Sequence, residues 1–275
     1  MSFETYIARR YFKSGRFFIN VSTWITIVGV TLGVATVCFV MSMHNGFETE
    51  VRNRLLGTTS HVSIFPFRGG LIEDYRGLVT KLEQIDGVVA ASPFIYYKVA
   101  VSSASEGDGI IVRGIEPELE RRTADISKNI ISGQYSFATT LIEDDSIPGV
   151  LMGSGLADRL AVTIGDPIVL YSLRGEDLRA NSRPRVAKYY VSGIFETGLY
   201  EFDVQLAYIS LESAQKLFKV DNAVTAVHLK LDDIFMAEQM TPLIDSVLGY
   251  RYDVVPWNVL HQNLFGWIAF EKLIL

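Results

Sequence analysis

The chain has 275 residues, 49% of them hydrophobic, one cysteine, and 25 basic against 31 acidic side chains for a formal charge of -6. That hydrophobicity is high for a soluble protein and low for a polytopic one, and a single cysteine excludes an intrachain disulfide. With -9 left once the +3 of the first sixteen residues is set aside, the remainder has no electrostatic attraction for nucleic acid.

At the N-terminus Phe3, Tyr6, Ile7 and Tyr11 recur at helical spacing, with Arg9, Lys13 and Arg16 on another side. This predicts a helix lying in the cytoplasmic interface over residues 1–18. Thirty-one residues without an acidic or basic side chain then separate Arg16 from Glu48. Roughly 20 apolar residues span a bilayer, so a transmembrane helix is expected over 19–47. The basic flank before this span places the N-terminus in the cytoplasm and the region after the span outside. A signal peptide has an apolar core of only ~7–15 residues and a small-residue cleavage site, neither of which fits. Cys38 lies deep in the run behind bulky Val37, a poor setting for lipoprotein attachment. Gly29 and Gly33 make a G-x-x-x-G with Ala35 and Thr36 close by. Small residues at that spacing let membrane helices approach closely, although glycine is common enough in such helices for chance to explain the pattern equally well.

Helical character continues to about Leu56, with Gly57 as the stop. HVSIFPF reads as a strand, and EDYRGLVTKLEQI as a helix with Tyr75, Leu78, Val79, Leu82 and Ile85 on one face. VVAASPFIYYKVAVSSAS and GIIVRGI read as β-rich segments, and residues 116–145 as short helix and loop. GVLMGSGLADRL reads as strand, turn and short helix; DPIVLYSL, KYYVSGIFE, VQLAYISL and AVHLKL read as strands. Ser210 caps LESAQKLF, and Thr241 with Pro242 marks a helix start that ends at Gly249. YDVVPW leads to NLFGWIAFEKLIL, which is expected to open a second membrane helix at 263–275, cut short at Leu275. Helices and strands mix without βαβ alternation, so the exterior region, 48–262, is expected to be α+β.

Catalytic chemistry is hard to find. No Walker A sequence occurs. In GSGLAD, Asp158 stands where a dinucleotide fingerprint needs a third glycine, and Met152 breaks a G-x-S-x-G elbow around Ser154. His44, His61, His228 and His261 are scattered, without metal-ligand spacing. The acidic run Glu143–Asp145 lacks the spacing of a calcium loop and reads as a solvated loop. One stretch stands apart: Leu173 to Lys188 interrupts two strand patterns with Arg174, Arg179, Arg183, Arg185 and Lys188 against two acids. A long basic loop on an acidic domain suits a docking surface or a solvated hairpin extension.

The order of these pieces resembles a known family. FETYIARRYFKSGR and FFINVSTWITIVGVTLGVATVCFVMSMHNGFETEVRNRLLGTTSHVSIF are similar to the N-terminus of lipoprotein-releasing ABC permeases, the LolC and LolE group of the MacB and FtsX-like superfamily. GSGLADRLAVTIGDPIVLYS, VSGIFETGLYEFDVQLAYISLESAQKLF and WNVLHQNLF extend the resemblance over essentially the whole chain. It implies a four-span permease of the bacterial inner membrane with a large periplasmic domain between spans one and two. Such a subunit is not an enzyme: ATP and magnesium belong to a separate ATP-binding-cassette subunit, and this chain holds no cofactor. The implied partners are that ATPase, a second permease copy or paralogue, a lipoprotein substrate and a periplasmic lipoprotein carrier. By position, the loop with Arg179, Asn181, Arg183, Pro184 and Arg185 resembles the hairpin, called the hook, that recruits the carrier. Gly29, Gly33 and Thr36 are then a packing or lipid-cargo face. A MacB-type efflux permease and an FtsX-type regulator of wall hydrolases share this architecture. A membrane-anchored sensor or binding module is the reading of a different class.

Overall fold

The computed structural model describes residues 3–13, 17–58, 60–67, 69–142, 145–172 and 184–260. Contacts divide the chain into Met1–Arg52 and Asn53–Leu275. In the first unit lie helix α1 (Phe3–Lys13) and most of α2 (Phe17–Thr58). Within α2, Val21–Met43 has a mean hydropathy of 2.2 with none of it buried. A helix that is apolar all round and exposed fits lipid rather than water. At 1.5 Å per residue those 23 residues cover the ~30 Å hydrocarbon core. Thr26 and Thr31 satisfy their hydroxyls within the helix, as lipid demands: Thr26 Oγ1 donates to Ser22 O at 2.9 Å and Thr31 Oγ1 to Ile27 O at 2.7 Å. Gly57 does not stop α2, which runs on to Thr58.

In the second unit follow β1 (Val62–Pro66), α3 (Tyr75–Leu82), β2 (Val88–Ser102), β3 (Gly107–Ile115), α4 (Pro117–Thr123), β4 (Ile130–Gly133) and β5 (Thr139–Ile142). Next come β6 (Asp145–Gly153), α5 (Ser154–Leu160), β7 (Pro167–Ser172), β8 (Arg185–Phe195), α6 (Tyr200–Gln205), β9 (Leu206–Ser210) and α7 (Leu211–Phe218). The last are β10 (Ala226–Leu231), α8 (Ala237–Leu248), β11 (Tyr252–Pro256) and α9 (Trp257–Leu260). This is the α+β region expected: most strand pairs are antiparallel, with β3–β9 and β6–β8 parallel.

The strands run in the order β11-β1-β10-β2-β3-β9-β6-β8-β4. β7 pairs with both β2 and β8, which closes a ring through β2, β3, β9, β6, β8 and β7. Side chains alternate across a sheet, and that alternation makes two cores here. Val150 and Met152 join the larger cluster, whereas Leu151 between them joins Phe94, Ile115, Phe195 and Tyr208 in the smaller. Strands covered on both faces need apolar residues at successive positions, which is why β9 reads LAYIS without alternation. α7 lies so close over β3 that a Cβ on Gly114 would stand 2.1 Å from that of Ala214.

Some local expectations change. The region 116–145 contains β4 and β5 as well as α4, because short, exposed strands carry little apolar periodicity. Val204 and Gln205 belong to α6, not to a strand. Pro242 sits inside α8 rather than at its start. The signal lies upstream, where the Asp233 carboxylate accepts from Phe235 N at 2.9 Å and begins a 3-10 turn that feeds the helix. The proline needs no N–H there if the turn before it is held otherwise, and Thr241 Oγ1 donates back to Ala237 O at 2.8 Å. Ser210 caps α7, accepting from Ser213 N at 3.2 Å, and Gly249 ends α8 at φ 65°, both as predicted.

Candidate functional site

β7 and β8 pair antiparallel from Pro167–Tyr190 to Ser172–Arg185, so the basic stretch is the connection of a β-hairpin. The hairpin shortens the loop, since Arg185 to Lys188 are strand residues. Arg179, Asn181 and Arg183 lie outside the described residues. Pro184 is exposed, and half-buried Arg185 forms part of a groove of about 710 Å³ at the hairpin base. Its other walls come from β5, β6 and α7, including Thr139, Pro148 and Lys216. One described residue from each of the two charge runs meets the other at this place. Asp145, at the end of the acidic run, accepts from Lys188 Nζ at 2.7 Å. Both side chains are 60% exposed, so the pair contributes at most about 1 kcal/mol and serves to align the hairpins rather than to hold the fold. Lys216 hydrogen-bonds Glu212 at 2.6 Å and so lowers the pKa of that exposed carboxyl.

Gly29, Gly33 and Thr36 all lie on α2. A Cβ on either glycine would meet nothing within 4 Å, and Thr36 Oγ1 donates to Leu32 O at 2.8 Å. The glycine face is open, and its threonine needs no outside partner.

Sequence reasoning missed the joint where the chain enters and leaves the exterior domain. β1 and β11, the first and last strands, pair with Val62 opposite Pro256 and Pro66 opposite Tyr252. Entry and exit therefore lie side by side. His61 fastens them: its N–H donates to Leu229 O at 2.9 Å, and its carbonyl accepts from Trp257 N at 3.0 Å. Its Nδ1 accepts from Leu231 N at 3.1 Å. Trp257 Nε1 in turn donates to Ile234 O at 3.2 Å. An accepting Nδ1 must be unprotonated, and burial together with nearby Lys230 lowers the His61 pKa to about 4. The only sign in the sequence was a histidine shortly after a long helix.

A second device explains a distinctive string. In GLYEFD, Asp203 Oδ1 accepts from Thr197 N and Thr197 Oγ1, both at 2.8 Å, and Oδ2 accepts from Gly198 N at 3.0 Å. Against this turn packs GSGLAD, where a Cβ on Gly153 would lie 2.3 Å from the Asp203 carbonyl oxygen. Ser154 opens α5 rather than a nucleophile elbow. Among the described residues no three His, Cys, Asp or Glu side chains gather to hold a metal ion.

Residues 23–246 match the family of the MacB-like periplasmic core domain. The chain belongs to that family. It is 29% identical over its whole length to the lipoprotein-releasing system transmembrane protein LolC of Neisseria meningitidis, of which it spans 65%. It is 28% identical, over 78% of its length, to LolE of Haemophilus influenzae, of which it spans 50%. A solved structure of the periplasmic region of MacB from Actinobacillus actinomycetemcomitans aligns with 77% of this chain and 94% of its own, at 15% identity and a TM-score of 0.47. The resemblance to the LolC and LolE group read from the sequence is thus met by relatives along the whole chain. The chain spans less than two thirds of the length of the LolC and LolE relatives.

Proposed function

We propose that this chain is the permease subunit of an ABC transporter that draws lipoproteins from the inner membrane and passes them to a periplasmic carrier. The observation that carries the reading is the similarity of the entire chain to relatives named for lipoprotein release. The N-terminus lies in the cytoplasm and the main domain in the periplasm, as the basic flank directs. ATP and magnesium act on a separate subunit, and a second permease copy or paralogue completes the assembly. Motion of the membrane helix enters the exterior domain at His61, whose hydrogen bonds to β10 and α9 hold the entering chain. The face with Gly29, Gly33 and Thr36 receives a partner helix or the lipid part of the cargo. The hairpin connection, with Arg179, Asn181, Arg183, Pro184 and Arg185, offers the carrier a cationic contact.

The reading requires an ATPase partner. When the full-length protein is purified from membranes after co-expression with an ATP-binding-cassette subunit from the same organism, the two are expected to elute together. That complex should hydrolyse ATP, and the permease alone should not. A full-length protein that elutes without any ATPase, in a membrane extract where that ATPase is present and soluble, would contradict it.

A further inference from the structure

A second cavity, of about 360 Å³, opens between β1, β2, β3, α6 and α9. Its walls include Phe65, Phe94, Ile111, Phe202 and Leu206, and one fixed cation, Arg113. The Arg113 guanidinium lies 4.9 Å from the Phe94 ring centre and 5.8 Å from that of Tyr208. Ring faces attract a cation but do not accept its N–H groups in the way an oxygen does, and the one hydrogen bond that the Arg113 side chain makes with Tyr208 does not reach Nε. Nε is buried with no hydrogen-bond partner, and none of the ion pairs among the described residues includes Arg113. The fully buried Glu120 accepts at Oε2 from Ser92 Oγ at 2.7 Å and Thr123 Oγ1 at 3.4 Å, while its Oε1 is likewise buried without a hydrogen-bond partner and makes no ion pair with Arg113. An unmet donor of this kind costs about 1–3 kcal/mol, and a charged group more, so the arrangement calls for an acceptor.

We propose that this cavity binds a single acyl chain carrying an anionic head, with the head on Arg113 and the chain against Phe65, Ile111, Phe202 and Leu206. Charge complementarity selects the head: a guanidinium donates two parallel bonds to a carboxylate or phosphate. The apolar walls select the tail. The volume lies at the low end of the roughly 300–1,000 Å³ of ligand pockets, which suits one chain rather than two. Glu201 also borders the cavity, but it is exposed, where water and salt screen its charge. Membrane amphiphiles are the ligands at hand, because Phe65 follows closely on α2 and Leu260, also in the wall, precedes the apolar NLFGWIAF. The site stands apart from the hairpin and does not depend on the transport reading.

The test uses the whole chain in phosphatidylcholine nanodiscs, titrated with carboxyl-labelled dodecanoate, lauroyl-lysophosphatidylglycerol or neutral dodecanol, with empty nanodiscs subtracted. Saturable binding of one anionic chain per protein is expected. A tighter carboxylate arm identifies a fatty acid, and a tighter phosphate arm identifies a lipid headgroup. Arg113→Gln should weaken the anionic arms at least tenfold and leave the dodecanol arm unchanged, a difference that a merely loosened fold would not produce. Should Arg113→Gln fail to fold, Phe202→Glu, on a half-buried position, should abolish binding of the anionic probes in a folded protein. Absence of a saturable component, or binding unaltered in both variants, would overturn the proposal.

Discussion

Asp203→Ala is expected to lower the unfolding temperature of the protein by about 6–12 °C, the equivalent of roughly 3 kcal/mol in a domain of this size. The carboxylate is buried and accepts three hydrogen bonds, two of them from the backbone N–H groups of Thr197 and Gly198. Alanine leaves the buried Thr197 donors without an acceptor, and only the exposed Gly198 can turn its N–H to water instead. Gly198 is held at φ 75° in the same turn, so the chain has little freedom to find new partners. Asp203→Asn keeps one acceptor but turns an amide donor towards a backbone donor, and should cost about half as much or more. The effect reaches function through α6, whose Phe202 and the adjoining Leu206 wall the anionic-chain cavity. Thermal unfolding followed by circular dichroism measures it, and a shift below about 2 °C would show that the turn does not depend on this side chain.

The second large effect belongs to His61. Its pKa is lowered to about 4 from the ordinary 6.5, first by burial and then by Lys230, with a backbone hydrogen bond to Leu231 and then Asp233 opposing more weakly. A group with a depressed histidine pKa takes up its proton more readily when the chain is unfolded. Stability is therefore complete above pH 6.5, falls as the pH drops from 6.5 to 4, and changes no further through this residue below that. The shift corresponds to about 3 kcal/mol. Protonation would also place an N–H against that of Leu231, so the joint between entry and exit should loosen before the rest of the domain. Urea unfolding at pH 7, 5.5 and 4.5 gives the slope, and His61→Gln, which cannot titrate, should remove most of it. An equal slope in the variant would assign the acid sensitivity to other groups.

Much of this architecture was legible because apolar periodicity is strong where burial is one-sided. Tyr75, Leu78, Val79 and Leu82 mark α3 because one face of that helix is buried. Ser210 and Gly249 mark helix ends because capping and left-handed backbone need particular residues. What stayed hidden is long-range. Pairing of β1 with β11, closure of the ring by β7, and the meeting of Asp145 with Lys188 all join residues far apart in sequence. Nothing local in the sequence marks Arg113, because Phe94 and Tyr208, whose rings flank it, come from other strands. GLYEFD and GSGLAD stood out as family strings, yet their reason is a contact between Gly153 and Asp203 that only the fold brings about.

On the proposed function, ATP spent on a partner subunit releases a lipid-anchored protein through the permease. The direct measurement reconstitutes the full-length complex in proteoliposomes with acylated lipoprotein and follows its transfer to soluble carrier, with ATP and with a non-hydrolysable analogue. Transfer that requires hydrolysis is predicted. Equal transfer with the analogue, or without nucleotide, would rule out ATP-driven release.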